Sequence, residues 1–240
     1  MERQMQLMWE TYFEEYKSKD LVDNGFNPLR NYESEFTDGP IIDIGCGQSN
    51  ILLEYAAAGK TVIGIDNEEL QLNWLKNRLE SYSSYGTQNC TLLNQEFPIQ
   101  PIPEYDYSVI VLNNFLHFFS LPDASQIISE LVKYCRKGTF LLVSVHASED
   151  NENLHPNYFK HIFSEQDLLK IFEPHDMEQV FLAQVKRRIS LAEVRVWNKW
   201  IDKVCKEENI NDPVEISDIK NNYYQQSSRL SDTIVIFKKS

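Results

Sequence analysis

The chain has 240 residues, a hydrophobic content of 42%, a formal net charge of -13 and four cysteines. That length suits one α/β core and is short for two. No apolar run approaches the roughly 20 residues of a bilayer-spanning helix, and the acidic balance disfavours phosphate backbones, so neither a membrane nor a nucleic acid is an expected partner. Cys46, Cys90, Cys135 and Cys205 are too widely separated for paired zinc ligation or a redox dithiol and read as reduced packing residues. Residues 1–19 lack the basic start and apolar centre of a secretory signal, which makes the cytoplasm the expected address.

Met5, Met8, Trp9, Tyr12, Phe13 and Tyr16 recur at three- and four-residue spacing, which predicts a helix over residues 4–17 with one apolar face. That face either packs on the core or, with the segment from Phe26 to Tyr32, covers part of a binding site; both can hold. After a Gly39-Pro40 break, residues 40–44 form a short β-rich run. It leads into Gly45-Cys46-Gly47, and Ser49 and Asn50 then open a helix over 51–58. The two glycines can take backbone angles closed to other residues and let a ligand approach the main chain. The next apolar run, residues 61–65, ends in Asp66, 21 residues after Gly45. In Rossmann-type folds an acid at that distance holds a ribose hydroxyl pair.

A turn of this kind could serve a pyrophosphate dinucleotide. Two residues point elsewhere: Asn50 stands where the dinucleotide fingerprint has its third glycine, and the Asp43 carboxylate would repel a nearby pyrophosphate while favouring a cationic ligand. The run Asp43-Ile44-Gly45-Cys46-Gly47-Gln48-Ser49-Asn50 resembles the first motif of class I S-adenosylmethionine-dependent methyltransferases, and Gly64-Ile65-Asp66-Asn67 resembles their second. The resemblance implies a Rossmann-like α/β fold: a seven-stranded, mostly parallel sheet with helices on both faces and an antiparallel last strand. It implies S-adenosylmethionine as cofactor, held around Asp43, Gly45, Cys46, Gly47, Asp66 and Asn67. The Cys46 thiol reads as a small filler rather than a reactive group, and Asp66, Asn67 or Glu68 could alternatively cap the next helix.

That next helix is predicted over 68–82, with Leu72, Leu75 and Leu79 facing inward. A strand over 90–93 follows, leading to Asn94-Gln95-Glu96. In the resembled family this tip presents an acid or amide to the adenine, which puts Gln95 and Glu96 among the cofactor residues, with Asn94 as a further candidate. Residues 107–112 are almost continuously apolar, as a central parallel strand buried on both faces should be. Ligands bind beyond the carboxyl ends of such strands, so Asn113 is expected at the cofactor. His117 is either a general base or a hydrogen-bonded structural histidine. The flanking Glu104-Tyr105-Asp106-Tyr107 and Leu116-His117-Phe118-Phe119 resemble the family's fourth motif.

A helix over 123–135, opened by Pro122 and Asp123, and a strand over 139–145 come next. The strand ends at His146, a second candidate base, with Ser148, Glu149 and Asp150 beyond. A long polar loop contains His155 and His161, but no close-spaced ligand pair, so no metal site is expected. Ser164 caps a helix to residue 172, and strands are predicted over 177–185 and 231–237. The resembled fold joins its last two strands by a tight turn. The chain is thus one domain with an N-terminal helical extension, 1–38, and an insertion, 186–230. Leu191, Val194, Trp197, Ile201 and Val204 predict an amphipathic helix within the insertion, and residues 216–228 are expected to be irregular. The insertion is a lid or a subunit contact, and the oligomeric state is not set by the sequence.

The general look, including the run from His161 to Leu169, is closest to small-molecule methyltransferases of the tellurite-resistance type. Methyl transfer is an in-line displacement, so placing the acceptor is most of the catalytic contribution. A soft anion can arrive deprotonated; a hydroxyl or amine would give its proton to His117 or His146. A non-catalytic S-adenosylmethionine-binding module and a nicotinamide-dependent oxidoreductase remain as alternatives, because fold does not fix chemistry.

Overall fold

The computed structural model describes residues 2–16, 27–82, 88–148, 159–186, 189–228 and 230–240; Phe26, Glu149, Asp150 and His155 lie outside them. Its strands are β1 (Ile41–Ile44), β2 (Val62–Asp66), β3 (Cys90–Asn94), β4 (Val109–Asn113), β5 (Phe140–Ser148), β6 (Met177–Lys186) and β7 (Leu230–Lys239). They form one sheet in the order β3-β2-β1-β4-β5-β7-β6. Pairings among β1 to β5 are parallel, and β7 runs antiparallel between β5 and β6. The order reverses beside β1, which opens a crevice at the carboxyl ends of β1 and β4, the usual place for a ligand in such sheets.

Alternation along the strands fills two cores. Ile42, Ile44, Ile63, Ile65, Ile110 and Leu112 face one side. There they meet Ile127, Ile128 and Leu131 of α4 (Leu121–Leu131) and Leu168, Ile171 and Phe172 of α5 (Glu165–Phe172). On the other side Ile41, Val62, Val109 and Val111 meet Leu52 and Tyr55 of α2 (Asn50–Ala57) and Leu72, Leu75 and Leu79 of α3 (Glu69–Tyr82). Both faces of the central strands are thereby dry, which is why their sequences are nearly all apolar.

Helix starts follow local chemistry. Ser164 caps α5 in a reciprocal box with Asp167, the arrangement that satisfies two orphan N–H groups at once. The helix predicted over 123–135 instead begins at Leu121, because Ser120 accepts the Asp123 N–H, and it ends at Leu131 before a short 3-10 turn, Val132–Tyr134.

Residues 216–228 are helical rather than irregular. They belong to α7 (Pro213–Ser228), which Asp212 opens by accepting the Val214 N–H at 2.9 Å. Ile216, Ile219 and Tyr223 form its narrow apolar stripe and pack on Trp200, Ile201 and Cys205 of α6 (Leu191–Glu207). The N-terminal helix α1 (Glu2–Tyr16) joins the same third cluster through Leu7 and Met8. Trp200 Nε1 donates to the Gln4 carbonyl at 2.9 Å, and Lys203 reaches Glu14 at 2.8 Å.

Candidate functional site

Two glycines carry the chain off β1. Gly45 (φ +68) and Gly47 (φ +47) lie in the left-handed region, and a Cβ on Gly45 would run into the Phe115 ring. Glycine is therefore required there by both backbone and packing. Between them, Cys46 donates its N–H to the Ile65 carbonyl at 2.9 Å and accepts the Ser49 N–H at 2.8 Å. Its thiol is buried beneath the turn, where a Cβ on Gly64 would come 3.0 Å from Sγ. Burial pushes this thiol well above its ordinary range. The side chain fills the core, which suits the filler reading and not a nucleophile.

Asp43 points the same way as Ile41, into the α2 and α3 side, and is 1% exposed. Ser49 Oγ donates to its Oδ2 at 2.6 Å and accepts the Leu52 N–H at 3.1 Å, so one hydroxyl caps α2 and holds the acid. Oδ1 has no partner. Burial raises this carboxyl from 3.8 to about 7; the Ser49 bond works against the shift, and the charge of Asp66 adds to it. Asp43 is thus not a fixed negative charge. In the folded chain it is a poised acid lacking one donor, and a nearby cationic group would favour its ionised form.

Asp66, at the tip of β2, has both oxygens engaged by the main chain. Oδ2 accepts the Gly47 N–H at 2.8 Å and Oδ1 the Glu68 N–H at 2.9 Å. It therefore ties the glycine turn to the start of α3 and performs the capping that sequence left open among three residues. Burial raises its carboxyl, with these N–H bonds opposing. Register pairs Asp66 with Asn94, so Gln95 and Glu96 stand just beyond it. The Gln95 N–H donates to the Asp66 carbonyl and its side-chain amide to the Pro101 carbonyl, at 3.1 and 3.0 Å. Glu96 and Asn67 are exposed on the same edge.

Arg78, which sequence reasoning passed over, reaches from α3 to the Gln48 carbonyl and the Asn50 side chain, both at 2.6 Å. It straps the turn from 28 and 30 residues away, a separation that leaves no local pattern to read.

Across the crevice, the Asn113 side chain accepts from Ser144 Oγ. The Asn114 N–H donates to the Ser144 carbonyl at 2.9 Å, at a φ of +55. His117 is buried and His146 lies on β5, and their rings stack at 4.5 Å with 10° between planes. The His146 N–H points to His117 Nδ1 at 3.4 Å, and His146 Nδ1 meets Asp232 Oδ1 at 2.7 Å. Phe159 packs on both imidazoles. The two histidines named from sequence thus share one site. Asp232 joins them from β7, a residue that only strand register reveals. The His161 N–H reaches the His117 carbonyl at 3.4 Å while its ring turns to Asp167, also at 3.4 Å, and among the described residues no group of three or more potential metal ligands gathers.

Residues 41–138 match a family model described as a methyltransferase domain. An S-adenosylmethionine-dependent methyltransferase from Geobacter sulfurreducens, in complex with S-adenosyl-L-homocysteine, is similar over 96% of this chain and 98% of its own, with a TM-score of 0.65 at 14% identity. One from Thiobacillus denitrificans, also with S-adenosyl-L-homocysteine, covers 95% and 98% with a TM-score of 0.64 at 15% identity. Geranyl diphosphate C-methyltransferase from Streptomyces coelicolor A3(2) covers 85% and 73%, with a TM-score of 0.57 at 10% identity. At these identities the likeness is one of fold. No curated protein matches the chain in sequence.

Proposed function

We propose that this chain, a class I S-adenosylmethionine-dependent methyltransferase, transfers the methyl group to a small-molecule acceptor at the carboxyl ends of β4 and β5. The observation that carries the reading is the cradle after β1: two left-handed glycines over a buried carboxylate with one unpartnered oxygen. A ligand presenting a cation to main chain fits that chemistry, and a pyrophosphate does not. S-adenosylmethionine, when bound, supplies a methyl carbon activated by a sulfonium.

The chain supplies the rest. Gly45 and Gly47 give close approach to the backbone, Asp43 offers a carboxylate to the ammonium, and Asp66 with Asn67 borders the ribose. Gln95 and Glu96 border the adenine, Asn113 lines the crevice, and His117 and His146 face the acceptor. Cys46 contributes its place in the turn rather than its thiol.

The acidic net charge favours a small acceptor over a polyanion, and the relative from Streptomyces coelicolor is named for a small one, geranyl diphosphate. No described helix is long and apolar enough to cross a membrane, in keeping with a cytoplasmic enzyme. Because β6 runs parallel to β5, the insertion leaves and returns at the ligand end of the sheet. We read α1, α6 and α7 together as a cover on the acceptor side.

Calorimetry tests this directly: S-adenosylmethionine and S-adenosylhomocysteine should bind and NAD should not. Asp66→Ala should weaken the cofactor by ten- to a few hundredfold, since bonds to a charged acceptor are worth about 1.5–3 kcal/mol each. Tight NAD binding, or an affinity change under about twofold in that variant, would defeat the assignment.

A further inference from the structure

The imidazoles of His117 and His146 are equivalent candidates in sequence and inequivalent in the fold. A carboxylate only accepts, so the nitrogen of His146 facing Asp232 Oδ1 at 2.7 Å carries the hydrogen. Its Nε2 is then the lone-pair nitrogen in the neutral ring. The reverse holds for His117: its Nδ1 faces the backbone N–H of His146 at 3.4 Å and is the acceptor, so the hydrogen sits on Nε2. One ring is arranged to take a proton at Nε2 and the other to keep one there.

Position adds to this. Ser144 is level with Asn113 at the tip of β4, and His146 is two residues further along β5. The imidazole therefore stands above the crevice floor. The ring is 12% exposed, which leaves a narrow approach to it. Phe159 lies 5.2 Å from it, and Phe118 meets the stacked His117 ring in an edge contact at 4.5 Å. Phe118 is 42% exposed, high for a large apolar ring. Flat aromatic faces beside a proton acceptor suit a flat acceptor bearing an ionisable hydroxyl.

We propose that Asp232 is a positioning residue that holds His146 in the Nδ1–H tautomer, so that His146 Nε2 takes the proton of an aromatic hydroxyl, with His117 as its neutral platform. This rests on the methyltransferase reading of the same site. The acceptor O–H proton passes to Nε2, an oxygen lone pair forms the new C–O bond, and the electron pair of the breaking C–S bond stays on sulfur. The proton then leaves His146 for solvent. Phenols are far stronger acids than aliphatic alcohols and so within reach of an imidazole base, which singles out this hydroxyl class.

The test uses the full chain. Long-range proton–nitrogen correlation spectra of the histidine rings should report Nδ1–H for His146 and Nε2–H for His117, with His146 becoming a tautomer mixture in Asp232→Asn. An Nε2–H His146 in the wild type overturns the proposal without any substrate. In parallel, transfer to phenol and to 4-nitrophenol is followed by release of S-adenosylhomocysteine. Asp232→Asn should lower kcat with phenol by about 100-fold or more. It should lower kcat with 4-nitrophenol, which is already ionised near neutral pH, by less than about fivefold. Equal losses would make Asp232 merely structural, and no turnover of either phenol by wild-type protein that binds the cofactor would remove the acceptor class. Calorimetric binding of S-adenosylhomocysteine should be unchanged in the variant. If the wild type fails to bind it, the methyltransferase reading fails, while the tautomer result still stands on its own.

Discussion

Asp43 is where a single residue carries a cost that a ligand can relieve. Its carboxyl is raised from 3.8 to about 7, chiefly by burial. The native state therefore favours the protonated form, and the stability this contributes is full below about pH 4 and lost as pH rises toward 7. Relative to Asp43→Asn, the wild type should lose on the order of 4 kcal/mol across that window. Urea melts of both proteins from pH 4 to 7.5 measure the difference. Superimposable pH profiles would show that the folded carboxyl titrates as it does in the unfolded chain and that burial does not raise it. A cationic ligand should reverse the penalty, so binding near pH 6.5 should release protons, seen as an enthalpy that varies with the buffer. The motif around Asp43 was legible because glycine spacing is a local signal. Its Ser49 bond and empty Oδ1 were not, since both depend on how the turn folds back over β1.

Secondary-structure elements were readable to the extent that packing imposed a period. The buried strands and α5 announce themselves through continuous apolar runs or a capping serine. The α7 helix packs only Ile216, Ile219 and Tyr223 into the third cluster, leaving Val214 and Tyr224 exposed, and its partner α6 had to be in place for that stripe to mean anything. The same holds for α1, which buries Leu7 and Thr11, neither of them on the face predicted from spacing, and whose partner lies about 200 residues away, as in the Arg3 to Glu207 contact. Lys186 pairs with Ser231 across β6 and β7, so residues 188–229 can be replaced by a short hairpin turn. Removing them should leave the sheet folded, with cofactor affinity within about threefold. It should also strip the partner from Leu7 and Met8, each worth about 1.5–3 kcal/mol when buried. That variant should self-associate on size exclusion, and removing residues 1–26 as well should restore a monodisperse protein. If the doubly trimmed chain is unfolded by circular dichroism, the helices belong to the main core and the cover reading is wrong.

At the scale of the whole chain, the mostly parallel sheet with helices on both faces was legible through the family resemblance, and the burial of its central strands through their continuous apolar runs; the strand order itself is seen only in the fold. The third cluster joins α1 to α6 and α7 and is invisible until they meet. Its separateness has a thermodynamic consequence. The sheet cores carry the proposed cofactor cradle, whereas Leu7, Trp200, Ile201 and Cys205 form a small cluster of their own. A ligand that binds only the folded cradle stabilises it by mass action, about 2.7 kcal/mol at a hundred times its Kd. For a unit of this size that raises Tm by about 5–10 °C. Calorimetric scans with saturating S-adenosylhomocysteine should therefore shift the main transition by that much. A smaller, earlier transition from the three helices should stay where it is, and NAD should move neither. If both transitions move together, the cluster is coupled to the cradle and closes as part of cofactor binding. If neither moves at a hundredfold excess, the cradle does not hold this ligand and the assignment of the site fails with it.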